Sequence, residues 1–238
     1  MMQSGGFSPA SLFAGGTEGA WYDPSDLSTL FQDSAGTTPV TVAGQPVGLM
    51  LDKSGNGNHA TQATAAKRPT YTTGSGLAWL AFDGVDDELV TQSNINVSGN
   101  SAREYIGGSG PVGPVVTLNP GGNNGERWTV QNAYGNLRVE IQGSAYLSDI
   151  SSDGVVGARL PGGGTLGDHV LSNGTTDENA SGSDIVNTGI GPLYIGRINN
   201  NVWGNAEFYG CTFIDKLLTA QQRSDARQYY AEKRGVVL

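Results

Sequence analysis

The chain has 238 residues, of which 37 are Gly and 10 Pro, about one residue in five against roughly one in eight in ordinary proteins. Only 15% are charged, and 13 basic against 22 acidic side chains leave a formal net charge of -9. That balance speaks against a polyanion-binding surface, no run reaches the ~18 apolar residues of a membrane span, and a single cysteine excludes an intrachain disulfide.

Taken in chain order, residues 1–19 are rich in Gly and Ser with few anchors and read as a flexible or partner-bound arm. No basic residue precedes their short apolar run Ser11–Ala14, so a secretory signal is not expected. Residues 20–238 then read as one domain, a size that all-β sandwiches routinely reach. Trp21-Tyr22-Asp23-Pro24 begins it, and Ser25–Phe31 predicts a single helical turn with an acidic start.

Beyond this turn the pattern is short β runs: Val47–Leu51, Leu77–Phe82, Glu88–Thr91, Pro114–Leu118, Arg127–Val130, Leu137–Ile141, Val155–Leu160, Asp168–Ser172, Leu193–Ile198 and Glu207–Ile214. Leu137, Val139 and Ile141 alternate with Arg138 and Glu140, as a half-buried strand requires. Turn chemistry separates most runs, for example Gly55-Asn56-Gly57-Asn58 and Pro161-Gly162-Gly163-Gly164. One helix closes the chain over Ala220–Arg234, opened by the capping box Thr219/Gln222 and stopped at Gly235. Its basic residues, Arg223, Arg227, Lys233 and Arg234, read as a solvated helix face rather than a nucleic-acid patch.

Motifs that carry chemistry are few. Gly108–Gly113 satisfies G-x-G-x-x-G, but Pro111 and Pro114 intervene and a strand follows, so it reads as a loop without a dinucleotide. His59 and His169 stand in no metal-binding context, and Cys211 lies in a strand-like run as a buried thiol. Asp52, Ser54, Asn56 and Asn58 place oxygens on alternate positions like half a calcium loop. The Glu expected six residues after Gly57 is Ala63, so a turn held by Asx side chains is the stronger reading. Asp83, Asp86, Asp87 and Glu88 form the densest carboxylate cluster, which motivates glycoside hydrolysis as an alternative function. The E-x-D-x-x-E pattern that would line three acids along a strand is missing, so no catalytic residue, metal ligand or cofactor is assigned and a non-enzymatic role is expected.

Trp21–Pro24, Asp52–Ala60, Leu80–Asp87, Leu193–Arg197, Phe208–Ile214 and Lys216–Gln222 resemble, in this order, the landmarks of concanavalin A-like (laminin-G-like) jelly-roll domains. The resemblance spans about residues 21–235 and implies an all-β jelly-roll sandwich of ten or more antiparallel strands with a C-terminal helix. Residues 7–70 are similar in particular to phage virion and tail proteins that carry this domain. The likeness implies a virion protein, assembled in the host cytoplasm and displayed on tail or capsid, that binds a host surface glycan or decorates the particle. It would be held to other virion subunits through residues 1–19 and form a homo-oligomer. The alternatives are a polysaccharide depolymerase on the same fold and a secreted bacterial lectin module. The expected ligand-binding residues are Asn199, Asn200, Asn201, Trp203 and Asn205, an aromatic face for a sugar ring flanked by amides for its hydroxyls.

Overall fold

Short extended segments with one apolar face must bury that face against another sheet. In the computed structural model, which describes residues 6–96, 102–110, 115–118, 128–133, 136–141, 144–151, 153–160, 170–179, 190–199 and 202–238, two antiparallel sheets do so. The first runs Thr176–Asn179, Val170–Asn173, Gly154–Leu160, Arg103–Ser109, Asn205–Ile214, Leu77–Asp83 and Thr70–Gly74, and Gly19–Tyr22 also pairs with Asn205–Ile214. The second runs Ser144–Ser151, Asn136–Ile141, Trp128–Ala133, Val115–Leu118, Leu193–Ile195, Leu89–Thr91, Ala60–Thr61, Leu49–Met50 and Leu30–Phe31. Between them Tyr22, Leu80, Phe82, Tyr105, Phe208 and Phe213 of the first sheet pack on Leu30, Met50, Leu89, Val116, Leu118, Leu193 and Ile195 of the second. The fold is an all-β sandwich with one C-terminal helix, and each predicted β run overlaps a strand.

The first sheet is covered on its outer face as well. Trp21, Ile106, Val155 and Ile214 meet Leu218, Ala226, Tyr230 and Ala231, most of them on the Ala220–Arg234 helix. Thr219 and Gln222 form the capping box, and Gly235 ends the helix at φ 70°. The basic residues of the helix are not a solvated face. Arg223 pairs with the buried Glu104, Arg227 with Asp177 at 2.6 Å, Lys233 with Asp23 at 3.0 Å and Arg234 with Asp153 at 2.8 Å. Each clips the helix to a different strand or loop, and removing Arg223 would leave a buried carboxylate unpaired. Composition alone set residues 1–19 apart, but Pro9–Phe13 forms a 3₁₀ turn whose Leu12 and Phe13 are buried in this outer layer. No helix among the described residues is long and apolar enough to cross a membrane.

Asp23 ties the first turn to the helix. It accepts from the Ser25 hydroxyl at 2.6 Å, Tyr229 Oη at 2.8 Å, and the ammonium groups of Lys233 and Lys53 at 3.0 and 3.3 Å. Burial alone would raise its pKa, but the Ser25 hydroxyl, Lys233 and the Tyr229 hydroxyl together bring it down to about 2. A carboxyl lowered from an unfolded value near ~3.9 stabilises the fold above pH ~4, and that contribution disappears as pH falls toward 2. Asp23→Asn is therefore expected to lose about 2 kcal/mol at pH 7 by urea unfolding, with the difference from the parent closing between pH 4 and pH 2.

Candidate functional site

The Leu77–Asp83 strand delivers Asp83 to one end of the sandwich, where the chain must turn toward the second sheet. Asp83 Oδ1 accepts from the backbone N–H groups of Val85, Asp86 and Asp87 at 2.8, 3.3 and 3.4 Å, and Asp87 Oδ2 accepts from the Asp83 N–H at 3.1 Å. Gly84 occupies the bend at φ +75°, where a Cβ would stand 2.9 Å from the Asn205 nitrogen. This local wrapping packs three carboxylates into one turn, with one oxygen each of Asp83, Asp86 and Asp87 within 4.8 Å of one another.

Two segments distant in sequence complete the site. Asn205 lies opposite Asp83 in the sheet register, and Arg197–Asn199 pairs with Val202–Trp203 in a short hairpin. Gly196, at φ +91°, lets this hairpin leave the sheet, because a Cβ there would lie 2.3 Å from the Phe82 ring. Glu88 Oε2 accepts from Arg197 Nη1 at 3.2 Å and from Trp203 Nε1 at 3.3 Å. Arg197 lies over the Tyr194 ring at 4.9 Å. Lys67 lies 5.7 Å from the Trp203 ring centre and 3.9 Å from Asp86. The indole is thus held half-buried beside the acids, clamped by a carboxylate on its edge and an ammonium over its ring.

The two best-placed carboxyls titrate in opposite directions. Asp87, 7% exposed, is raised to about 6 by burial, with the charges of Asp83 and Asp86 adding to the effect against the Asp83 N–H bond. Asp83 also feels burial, yet the N–H groups of Val85, Asp86 and Asp87 outweigh it and hold its pKa below the usual carboxylate value. One carboxyl that keeps its proton up to about pH 6 beside one that stays ionised is the arrangement acid–base chemistry uses. The same three oxygens lie close enough together for one hard cation, although N–H groups already occupy Asp83 Oδ1 and Asp87 Oδ2.

Of the expected ligand-binding residues, Trp203 and Asn205 stand at this site, Asn205 exposed. Asn199 ends a strand of the short hairpin, and Asn200 and Asn201 lie outside the described residues. Two features that sequence reading held apart, the 83–88 acids and the Trp203 segment, are joined by the register Asn205 to Asp83. Sequence reasoning missed Lys67 and Arg197 as part of the site; the signal available was a cation close to aromatic residues, Arg197 three positions after Tyr194.

The Asp52–Asn58 segment is a different object. Asp52 accepts from the N–H groups of Trp21, Ser54 and Asn58 at 2.9, 2.8 and 2.9 Å and from the Ser54 hydroxyl at 2.7 Å, while its own N–H donates to His59 Nδ1 at 3.0 Å. Asn56 and Asn58 turn their amide NH₂ groups onto the Gly19 carbonyl. The side chains that resembled half a calcium loop face the protein backbone and hold the Gly19–Tyr22 strand. His169 and residues 111–113 of the glycine-rich loop lie outside the described residues. Cys211 is buried, and burial followed by the Asp52 charge pushes its thiol up, far from a reactive thiolate.

No protein-family model matches the chain, and no curated protein sequence matches it. Solved structures do. A GH54 α-L-arabinofuranosidase soaked with a cyclic sulfate inhibitor superposes with TM-score 0.65 at 14% identity, over 96% of this chain and 66% of that one. An arabinofuranosidase complexed with arabinofuranosyl-α-1,2-xylobiose gives 0.59 at 13% identity, over 96% and 65%. The binding domain of Paraclostridial Mosquitocidal Protein 1 gives 0.51 at 14% identity, over 79% and 51%. The chain thus spans just under two thirds of the arabinofuranosidases it matches, and at these identities the likeness establishes the fold. The expectation of a non-enzymatic role is corrected by the same finding, because this sandwich is one on which glycosidases are built. The missing E-x-D-x-x-E pattern tested a single layout, three acids on one strand, whereas a tight turn can gather carboxyls equally well.

Proposed function

We propose that this chain is a carbohydrate-active hydrolase whose site is the Asp83–Glu88 turn and the Trp203 hairpin. The observation that carries the reading is the pair Asp83 and Asp87, with oxygens within 4.8 Å and opposed titration, beside an aromatic face. With those oxygens no more than 4.8 Å apart, the pair falls short of the ~6.5–9.5 Å by which inverting glycosidases make room for a water between their carboxyls, which favours the retaining course. Asp87 gives its proton to the glycosidic oxygen as the bond to the anomeric carbon breaks, and the ionised Asp83 forms a bond to that carbon. Water, deprotonated by Asp87, then displaces Asp83, releasing the sugar with retained configuration and returning both groups to their starting states. Trp203 offers a face for the sugar ring, and Asn205 lies beside it with an amide for ring hydroxyls.

A panel of 4-nitrophenyl glycosides that includes the α-L-arabinofuranoside tests this. Nitrophenol release that falls with Asp87→Asn supports it, and no release above buffer on any member of the panel overturns it. Trp203→Ala is expected to raise KM about tenfold with a smaller change in kcat, from the lost stacking face. The setting belongs to the same proposal: the resemblance of residues 7–70 to phage virion proteins supports a host surface glycan as the substrate, and a search for this chain by mass spectrometry in purified phage particles tests it.

A further inference from the structure

At the opposite end of the Leu77–Asp83 strand, six residues and about 20 Å from Asp83, lies a groove of about 700 Å³. Its walls are the Thr70–Gly74/Leu77–Asp83 hairpin and the C-terminal turn of the helix, with Ser25, Tyr71, Thr73, Leu77, Glu232 and Lys233 among the lining residues. The hairpin tip is stiff: Ser75 and Gly76 both have positive φ, 52° and 80°, the turn whose twist matches its flanking strands. Lys233 is fixed by Asp23 and Ser25, so the opposite wall is stiff too.

Tyr71 sets this groove apart from an ordinary surface crease. The residue is 5% exposed and packs in the sandwich core, yet among the described residues its hydroxyl has no hydrogen-bond partner. It is not one of the fully enclosed unsatisfied atoms, so the small exposure it keeps includes the hydroxyl, and Tyr71 is one of the residues that line the groove. Burial raises its pKa, with no hydrogen bond contributing. A phenol hydroxyl that is open at the surface and has no protein partner can exchange water for a hydroxyl of a ligand in the groove.

We propose that this groove is a second saccharide-binding site, separate from the Asp83–Trp203 site, that takes one or two units of a neutral sugar. The lining alternates hydroxyls (Ser25, Tyr71, Thr73) with small apolar surface (Leu77, Ala78), which matches the hydroxyl edges and C–H faces of a sugar ring. One carboxylate and one ammonium, Glu232 and Lys233, leave no net charge for an acidic ligand to read. The choice of sugar as ligand rests on the function proposed above, although the groove and the free phenol do not.

Titration of the full chain with cellobiose and xylobiose, followed by NMR, tests the site. Tyr71→Phe keeps the ring packing and removes the hydroxyl, so affinity is expected to fall about five- to tenfold, and Thr73→Val provides an independent second reading. Asp87→Asn and Trp203→Ala are expected to leave this binding unchanged. Failure of both disaccharides to bind at millimolar concentration, or binding that ignores Tyr71→Phe and Thr73→Val, overturns the inference. Turnover of nitrophenyl glycosides without groove binding sinks this site and leaves the hydrolase standing; groove binding without turnover does the reverse.

Discussion

Asp87→Asn is expected to lower glycoside turnover at least a hundredfold while making the protein more stable at neutral pH. The loss follows from removing the proton donor, since general acid catalysis by one positioned group contributes roughly 10²–10⁴-fold. The gain follows from the raised pKa of about 6. Below pH ~4 the carboxyl is protonated in both folded and unfolded chains and contributes nothing. As pH rises to 6 the unfolded chain ionises first, so the parent loses stability over that window, by up to about 3 kcal/mol before solvent screening is counted. Asn accepts the same Asp83 N–H and carries no charge, so its unfolding midpoint in urea should exceed the parent's at pH 8 and match it at pH 4. Opposite signs for activity and stability are the mark of a group kept for chemistry. Equal or lower stability at pH 8 would remove the electrostatic account of Asp87.

Asp52→Ala is expected to have the largest effect on folding, about 3–5 kcal/mol in urea or guanidinium unfolding. The carboxylate receives three backbone N–H bonds and one hydroxyl bond, all from groups partly or wholly removed from water. Its loss leaves those donors without an acceptor and frees the Gly19–Tyr22 strand, whose Gly19 carbonyl is held by Asn56 and Asn58. Asp52→Asn should be only partly better, because an amide offers one acceptor oxygen where two are used. Addition of calcium should rescue neither variant, since the loop's oxygens face inward.

Elements with a strong local signal were legible in the sequence. The helix over Ala220–Arg234 is announced by its capping box and its terminal glycine, and both occur as read. The Arg103–Ser109 strand, central to the first sheet, was not visible for a physical reason. With both faces covered its residues are all buried, so no two-residue alternation exists to be found. It also begins with two charges, Arg103 and Glu104, that look solvated, while Glu104 is in fact neutralised by Arg223 on the helix. Gly108 reads as the start of a loop, yet it lies in this strand, and a Cβ at it or at Gly107 would press within 2.9 Å of a neighbouring side chain. Close packing needed them small. At the candidate site each half could be singled out, since acids and an aromatic next to amides are visible in one dimension. Their union could not, because it depends on a strand register between residues 83 and 205 that no local pattern encodes.

The Asn205–Ile214 strand lies between Arg103–Ser109 and Leu77–Asp83 and takes Gly19–Tyr22 on the same strand. The first sheet is therefore two half-sheets that only a late segment can join. During synthesis, neither half can close its interior until residue 214 has left the ribosome, so apolar strands wait with open edges while most of the chain is made. Slow folding follows from that single strand order, because its pairings join segments far apart in the chain.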